Sequence, residues 1–263
     1  MSGQRFSLVG RSALVTGASS GIGRAVALGL AEQGARLVLH HFGDAAGAAE
    51  TARAIDSQTP ILEADFTQPG GAEMLADAVL GEHGPIDILV ANAAIERRAA
   101  WHEVSVADIG AHFSANFMSL LTLAQRLVPP MAERGWGRVV ATGSVMASRP
   151  RAETVAYAAM KAAQFTAIRA IARDVAARGV TMNVVSPGAI EIEKNAARYA
   201  EPAFRNAVVA KIPAGRPGRP DDLVGAVLFL CSDASAYITG TNLPVDGGWT
   251  IGDASGALPG EAV

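Results

Sequence analysis

The chain has 263 residues, half of them hydrophobic, and a formal net charge of −3, which suits one α/β domain covering residues 1–263. The absence of a long basic stretch argues against nucleic-acid binding, and the single cysteine, Cys231, excludes an intramolecular disulfide and a multi-cysteine metal site. No apolar signal region precedes the first predicted strand, and no run approaches the roughly 20 apolar residues of a membrane span. We therefore expect a cytoplasmic protein that binds no metal, membrane or nucleic acid.

Short β-branched and leucine-rich runs alternate along the chain with long alanine-rich stretches of helical period. The predicted strands are Ser12–Thr16, Leu37–His40, Pro60–Glu63, Ile86–Ala91, Arg138–Thr142, Thr181–Val185 and Asn242–Val245. The predicted helices are Gly23–Gln33, Ala45–Ser57, Gly71–Glu82, Ser105–Glu133, Thr154–Arg178 and Asp221–Ser232. This alternation predicts an α/β fold, a Rossmann-like doubly wound parallel sheet of about seven strands with helices on both faces. Ligands of such sheets bind beyond the carboxyl ends of the strands.

The long fourth helix contains three local signals. Ser105 and Asp108 resemble a capping box at its start. Pro129 and Pro130 are expected to interrupt or end it, because proline lacks the N–H that a helix needs. Asn116 is a poor residue for an apolar helical stretch. It is expected to stabilise a helix irregularity and a proton-relay water, or else to cap the helix or face solvent.

The first strand is followed by a glycine-rich turn, Thr16-Gly17-Ala18-Ser19-Ser20-Gly21-Ile22-Gly23, and then by a helix. Glycine permits a tight turn and the close approach of a ligand. The helix start offers unpaired N–H groups and positive dipole to a phosphate. A turn of this kind can be purely structural, but its position after the first strand favours dinucleotide binding.

The ends of the next strands supply further candidates. The second strand runs into His40-His41-Phe42-Gly43-Asp44. No acid stands at the strand end to bind an adenosine ribose, although Asp44 is close, and this slightly favours NADP over NAD. Either His40 or His41 is a candidate phosphate contact, with His41 preferred, or both are ordinary polar loop residues. Asp65 is a candidate partner for the adenine amino group, or simply a loop cap. Asn92 is expected to tie neighbouring strands together.

Tyr157 and Lys161 are four residues apart in the predicted fifth helix, which places them on one face, roughly 6 Å apart along the axis. A nearby ammonium is expected to lower the tyrosine pKa from its usual value of about 10. Tyr157 would then exchange the proton that accompanies hydride transfer at an alcohol or carbonyl carbon. Ser144, after the fifth strand, is placed to hold and polarise the substrate oxygen. The Tyr-x-x-x-Lys spacing often arises by chance. The interpretation of this pair as catalytic therefore depends on Ser144 and on the glycine turn.

Together these residues resemble the short-chain dehydrogenases/reductases of the compact one-domain type, from about Arg11 to Trp249. The motifs are the glycine turn, Asp65, Asn92-Ala93-Ala94, Asn116, Ser144, Tyr157-x-x-x-Lys161, Asn183-x-x-x-Pro187-Gly188, Thr239-Gly240 and Val245-Asp246-Gly247-Gly248. The resemblance implies NAD(P), a homotetramer and a catalytic tetrad of Asn116, Ser144, Tyr157 and Lys161. The residues expected to contact the dinucleotide are Gly17, Ser19, Ser20, Gly21, Ile22, Gly23, His41, Asp65, Phe66, Asn92, Ala93, Tyr157, Lys161, Pro187, Gly188 and Ile190.

The chain departs from the family pattern at three positions. Ala94 stands where the family usually has glycine, a small change that should be tolerated. Ile192 stands where many members have a threonine that contacts the nicotinamide amide, which puts that contact in doubt. Ser20 replaces a basic residue that often marks NADP users, which weakens the preference for NADP.

The loops after the fourth and fifth strands and the segment 189–215 are expected to meet the substrate. They are charged and poor in aromatic residues, unlike a steroid or long acyl pocket. They predict a small polyhydroxylated substrate (a sugar, polyol or sugar acid) in contact with Glu96, Met146, Glu191 and Asn195. The alternative is that these charges only decorate the surface.

Two other functions stay open at this point. A 3-oxoacyl carrier-protein reductase would dock its partner on basic residues, here Arg97, Arg98, Arg149 and Arg151. A catalytically idle dinucleotide-binding sensor would keep the fold without turnover. The tail 252–263 is rich in small residues and proline, and its outer end is expected to be mobile.

Overall fold

The computed structural model describes residues 3–252, and within them seven parallel strands form one sheet. The strands are β1 (Ser12–Thr16), β2 (Arg36–His41), β3 (Ile61–Glu63), β4 (Ile88–Ala91), β5 (Gly137–Thr142), β6 (Val180–Pro187) and β7 (Asn242–Val245). Their order, β3-β2-β1-β4-β5-β6-β7, runs outward from β1 on one side and from β4 on the other. The predicted doubly wound sheet is confirmed. The predicted tail lies, apart from Gly252, outside the described residues.

Helices cover both faces of the sheet. They are α1 (Gly21–Glu32), α2 (Ala45–Ile55), α3 (Gly71–His83), α4 (Val106–Phe113), α5 (Ser119–Glu133), α6 (Val155–Val175), α7 (Ala196–Tyr199), α8 (Pro202–Val209) and α9 (Asp221–Cys231). Segment 189–215 was expected to be a loop, and the helices α7 and α8 correct that expectation. Within residues 3–252, none of the helices has the length and hydrophobicity that crossing a membrane requires.

Two large apolar clusters, one on each face of the sheet, form the core, and a third, small cluster surrounds Tyr199, Val208 and Ile212. Successive strand residues point to opposite faces, so Leu14 packs in one cluster and Val15 in the other. The first cluster includes Ile168 of α6, and the second includes Leu223 of α9. These strands are therefore buried on both faces, as their continuous apolar runs predict.

The long helical region is divided, but the prolines do not divide it. Ser105 accepts a hydrogen bond from the Asp108 N–H at 3.0 Å and starts α4. A π-helical turn at Ser114–Met118 separates α4 from α5. Helix α5 then continues through Pro129 and Pro130 to Glu133, so the expected interruption at the prolines is wrong. The carbonyl groups that the prolines leave unbonded belong to exposed residues, where water replaces the lost partner.

The side chain of Asn183 ties β6 to the segment that leads into β7. The side chain is fully buried, donates to the Ile238 carbonyl at 2.8 Å and accepts from the Thr241 N–H at 3.1 Å. Replacing Asn183 with alanine leaves these two partly buried backbone groups without their side-chain partner. Each such group costs about 1–3 kcal/mol.

We therefore expect Asn183→Ala to lower the urea midpoint of unfolding clearly, as followed by circular dichroism. Asn206→Ala, the same substitution at an exposed position of α8, is the control and should leave the midpoint unchanged. Equal midpoints for the two variants would contradict the role of Asn183.

Candidate active site

A continuous set of hydrogen bonds joins the carboxyl ends of β1, β4 and β5. The Thr16 hydroxyl accepts from the Asn92 and Ala93 N–H groups at 2.9 and 3.0 Å. The Asn92 amide donates to the Thr16 and Gly17 carbonyls at 3.0 and 3.1 Å. Its oxygen accepts from the Thr142 hydroxyl at 3.2 Å. Asn92 therefore ties the strands together, as expected, and also fixes the glycine turn.

A cavity of about 650 Å³ opens beyond the turn, and we call it the glycine-lined cavity. Its walls include the expected residues Gly17, Ser19, Ser20, Gly21, Ile22, Gly23, Asp65, Phe66, Asn92 and Ala93. A Cβ on Gly23 would lie 1.9 Å from the Gly17 carbonyl oxygen, so only glycine allows this turn. Ser20 precedes α1 without capping it through its side chain. The helix start is therefore open to a phosphate, and the cavity fits a dinucleotide.

The end of β2 presents His40 and Phe42 to this cavity, and not His41. Alternation along the strand turns neighbouring side chains to opposite faces, which corrects the expected contact between His41 and the dinucleotide. His41 is buried, and its Nδ1 has no hydrogen-bond partner within residues 3–252. Phe42 is 60% exposed and stands at the rim of the cavity.

The His40 side chain holds the glycine turn in place through a hydrogen bond. Its Nδ1 accepts from the Gly17 N–H at 3.2 Å, and its Nε2 lies 3.0 Å from the Ala64 carbonyl. The ring also stacks on Phe66, with 4.4 Å between the centroids. Burial lowers the His40 pKa to about 4. The imidazole is therefore neutral at neutral pH, as a ring that accepts one bond and donates the other must be. The sequence reasoning missed this role.

Asp65 lines the cavity and also organises its own loop. It accepts from the N–H and the hydroxyl of Thr67 at 2.8 and 2.7 Å. Burial opposes ionisation, but these hydrogen bonds outweigh it and hold the Asp65 pKa below its usual value. The loop-cap interpretation is confirmed, and an adenine contact stays a prediction.

A second cavity, of about 310 Å³, adjoins the first, and we call it the tyrosine cavity. It is lined by the expected residues Ser144, Tyr157, Lys161, Pro187, Gly188 and Ile190. The two cavities share wall residues, namely Ile22, Asn92, Ala94 and Ile192. A dinucleotide lying in the first cavity can therefore reach Tyr157 in the second.

Lys161 is held at the end of β5 rather than against the tyrosine hydroxyl. Its Nζ donates to the Thr142 carbonyl at 2.6 Å and lies 5.6 Å from the centre of the Tyr157 ring. Full burial lowers the Lys161 pKa to about 7.

Burial raises the Tyr157 pKa to about 12; the charge of Glu96 raises it further, and a hydrogen bond with Ser144 opposes the rise. The expected lowering by Lys161 is absent here, because a buried lysine with a pKa near neutrality carries only part of its charge. Tyr157 therefore holds its proton at neutral pH in this structure. That state suits proton donation to a carbonyl oxygen.

Asn116 lies behind the cavities and lines neither of them. It is fully buried within the π-helical turn. Its side-chain oxygen accepts from the Ile95 N–H and its amide donates to the Ile95 carbonyl, both at 2.8 Å. The expectation of a helix irregularity is confirmed, and the solvent-facing alternative is wrong. Asn116 fixes the chain that leads to Glu96.

Three of the four expected substrate residues, Glu96, Met146 and Asn195, line the tyrosine cavity. Asn195 also fixes its own segment, accepting from the Ile192 N–H at 2.9 Å. Glu191 faces a neighbouring groove and is bound by Arg205 through two contacts of 2.7 and 2.9 Å. Its expected substrate contact is therefore corrected, since its carboxylate already has a partner.

The expectation of a cavity poor in aromatic residues is wrong. Tyr199, Phe204 and Trp249 all line the tyrosine cavity, together with three arginines, Arg98, Arg151 and Arg198. Two of the aromatic residues come from α7 and α8, which the sequence reasoning missed. The available signal was Pro202, a residue that favours the first turn of a helix.

Comparisons with known proteins cover nearly the whole chain. A family model described as Enoyl-(Acyl carrier protein) reductase matches residues 17–250. The 3-oxoacyl-[acyl-carrier-protein] reductase of Vibrio cholerae is 37% identical over 243 residues, which cover 92% of this chain and 98% of that protein.

Two solved structures are similar in shape as well as in sequence. The 3-oxoacyl (acyl-carrier-protein) reductase from Agrobacterium tumefaciens with NADP bound has a TM-score of 0.87 at 38% identity, over 92% of this chain and 95% of that chain. The gluconate 5-dehydrogenase from Burkholderia cenocepacia, in complex with NADP and tartrate, has a TM-score of 0.87 at 35% identity, over 96% and 100%. The matches extend over both cavities.

The charge of Glu96 near Tyr157 generates a pH prediction. Because that charge raises the Tyr157 pKa, Glu96→Gln should lower it. Alcohol oxidation needs the deprotonated tyrosine as a base, so kcat/KM should reach its plateau at lower pH in the variant. The control is Glu73→Gln, an exposed glutamate on α3, and its pH profile should match the wild type. An unchanged or more alkaline profile for Glu96→Gln would refute the assigned coupling.

Proposed function

The chain belongs to the short-chain dehydrogenase/reductase family, whose members are NAD(P)-dependent oxidoreductases of CH–OH and carbonyl groups, and we propose that its substrate is a small polyhydroxylated compound. A sugar, a polyol or a sugar acid fits this description. The observation that carries the proposal is the small, arginine-rich tyrosine cavity around Ser144 and Tyr157. At about 310 Å³ it is at the small end of the range for small-molecule sites.

The proposed mechanism assigns the proton to Tyr157. When bound, NAD(P) carries the hydride. Tyr157 donates its proton to the carbonyl oxygen during reduction and takes it back during oxidation. Ser144 holds the same oxygen, and its hydroxyl is fixed by a 3.1 Å bond from the Met146 N–H. Lys161 holds α6 against β5, and Asn116 holds the chain at Ile95. Together with Ser144 and Tyr157 they form the proposed tetrad.

The glycine-lined cavity is the proposed dinucleotide site, with the phosphates at the start of α1. NADP is favoured because no acid lines the cavity at the end of β2 and because both similar structures contain NADP. His41 lies outside this cavity and is therefore not proposed as a contact of an adenosine 2′-phosphate. The nicotinamide would reach Pro187, Gly188 and Ile190.

A 3-oxoacyl carrier-protein reductase is the second candidate, since the similar proteins from Vibrio cholerae and Agrobacterium tumefaciens, among others, carry that name. It requires a basic surface for an acidic carrier protein. Arg97 is paired with Asp108 and Arg98 with Glu96, which reduces the positive charge available on that side. Carrier-protein binding that weakens with rising salt would favour this candidate.

A homotetramer is proposed from the family resemblance and from exposed apolar side chains. The residues concerned are Trp101, Val106, Ile109, Phe113 and Val155. They lie on and around α4 and at the start of α6, where a partner copy would cover them. The molar mass in solution, measured by light scattering, should be about four times the 27.0 kDa of one chain. A monomeric mass would contradict the proposal. A cytoplasmic location stays a prediction.

The function is tested by a panel of sugars, polyols, sugar acids and 3-oxoacyl thioesters, each with NADP and NAD. We expect turnover of a polyhydroxylated compound, and at least a thousandfold loss of kcat in Tyr157→Phe, because the proton donor is removed. The cofactor Kd should change little. Preference for an apolar ketone or a 3-oxoacyl thioester would overturn the substrate class, and normal turnover by Tyr157→Phe would overturn the role of Tyr157.

A further inference from the structure

The lining of the tyrosine cavity carries an excess of positive charge. Apart from Lys161, the charged residues lining the cavity are Glu96, Arg98, Arg151 and Arg198. Three guanidinium groups thus face one carboxylate. An anion entering the cavity gains from this imbalance, whereas a neutral molecule does not.

The three arginines differ in how far they are already neutralised. The Arg98 Nε lies 2.6 Å from the Glu96 carboxylate, and Arg151 lies at a longer 3.6 Å from Glu153. Within residues 3–252, Arg198 has no carboxylate at ion-pair distance. Its guanidinium lies 4.2 Å from the centre of the Phe204 ring, which orients the group without using its hydrogen-bond donors.

Tyr199 is the neighbour of Arg198 in α7, and its ring lies 5.7 Å from the Arg205 guanidinium. Arg198, Arg205 and Arg151 all act to lower the Tyr199 pKa, although burial and Glu191 raise it overall. Arg205 is already bound to Glu191 through two contacts. Arg198 therefore remains to serve a ligand, and Arg151 is held only by its longer contact with Glu153. The Tyr199 residue is only 5% exposed, and it lines the tyrosine cavity, where a ligand can reach it.

We infer that Arg198, Arg151 and the Tyr199 hydroxyl form a carboxylate subsite, and that the preferred substrate is a hydroxy acid. The inference rests on the proposed function and narrows it from sugars and polyols to sugar acids. A guanidinium matches a planar carboxylate with two parallel N–H donors, and a phenol adds a third. The carboxylate end of the substrate is held by α7, while its carbinol faces Tyr157 and Ser144.

The geometry also separates a sugar acid from a 3-oxoacyl thioester. A thioester carries no charge near its reacting carbonyl, so it would leave Arg198 without an anion. The aromatic residues Phe204 and Trp249 then serve as apolar surfaces for the C–H groups of the sugar-acid chain.

Direct binding tests the subsite independently of turnover. Five- and six-carbon aldonic acids are titrated calorimetrically into the wild-type protein saturated with NADPH, each beside the alditol of the same configuration. Because reduced cofactor and an alcohol cannot react, binding is measured without chemistry. We expect at least one acid to bind about tenfold tighter than its alditol, a difference of about 1.4 kcal/mol. The corresponding sugar phosphates form a third arm.

Arg198→Gln should remove most of the preference for the acid and leave alditol binding unchanged. Raising the salt concentration should weaken acid binding by the wild type, because the arginine is exposed. Arg178→Gln removes an arginine that pairs with Asp174 at the far end of α6, and as the control it should retain the preference. Thermal midpoints of both variants check that they are folded.

Several outcomes would overturn the inference. These are equal binding of acids and alditols, equal weakening of both by Arg198→Gln, binding of neither, or preference for the sugar phosphates over the acids. The turnover panel decides the proposed function separately. Oxidation of neutral sugars with no preference for acids would leave that function standing and the carboxylate subsite refuted. Turnover of 3-oxoacyl thioesters alone would refute both.

Discussion

One polar chain across the carboxyl ends of three strands holds the whole site in place. It runs from Lys161 through Thr142 and Asn92 to Thr16 and the glycine turn. An ammonium group buried completely is tolerable only where it has a strong acceptor, and the Thr142 carbonyl supplies one. The bond fixes α6 against β5 and so sets the position of Tyr157 one turn earlier. The proton site and the phosphate turn are therefore parts of one network.

Burial shifts the pKa values of the two members of the Tyr-x-x-x-Lys pair in opposite directions. It raises the Tyr157 pKa to about 12 and lowers the Lys161 pKa to about 7. Tyr157 is thus a proton donor at neutral pH, and Lys161 is a hydrogen-bond donor that carries only part of its charge. Glu96 makes the tyrosine still harder to ionise, while Ser144 favours ionisation. The surroundings of the tyrosine, rather than the pair alone, therefore set the pH at which Tyr157 can act as an acid or as a base.

The sequence predicted much of the fold, because strands covered on both faces must be apolar throughout. Each predicted strand end lies within two residues of the observed end. The glycine turn and Ser144 were found because tight turns and strand ends restrict the residues that fit. The predicted dinucleotide contact at His41 was wrong by one residue. Neighbouring side chains on a strand point to opposite faces, and the sequence alone did not show which of the two histidines faces the cavity. The walls formed by α7 and α8 escaped prediction because such short helices leave little periodicity to detect.

The proposed choice of substrate rests on the wall of the tyrosine cavity. The polar network positions the proton donor, and the arginines of the tyrosine cavity carry the proposed preference for a hydroxy acid. The most direct measurement is a crystal structure of the wild-type protein with NADPH and an aldonic acid, a pair that cannot react. The account predicts a substrate hydroxyl within hydrogen-bond distance of both Tyr157 and Ser144, with the carboxylate against Arg198. A bound acid whose hydroxyls lie away from Tyr157, or whose carboxylate points to solvent, would contradict it.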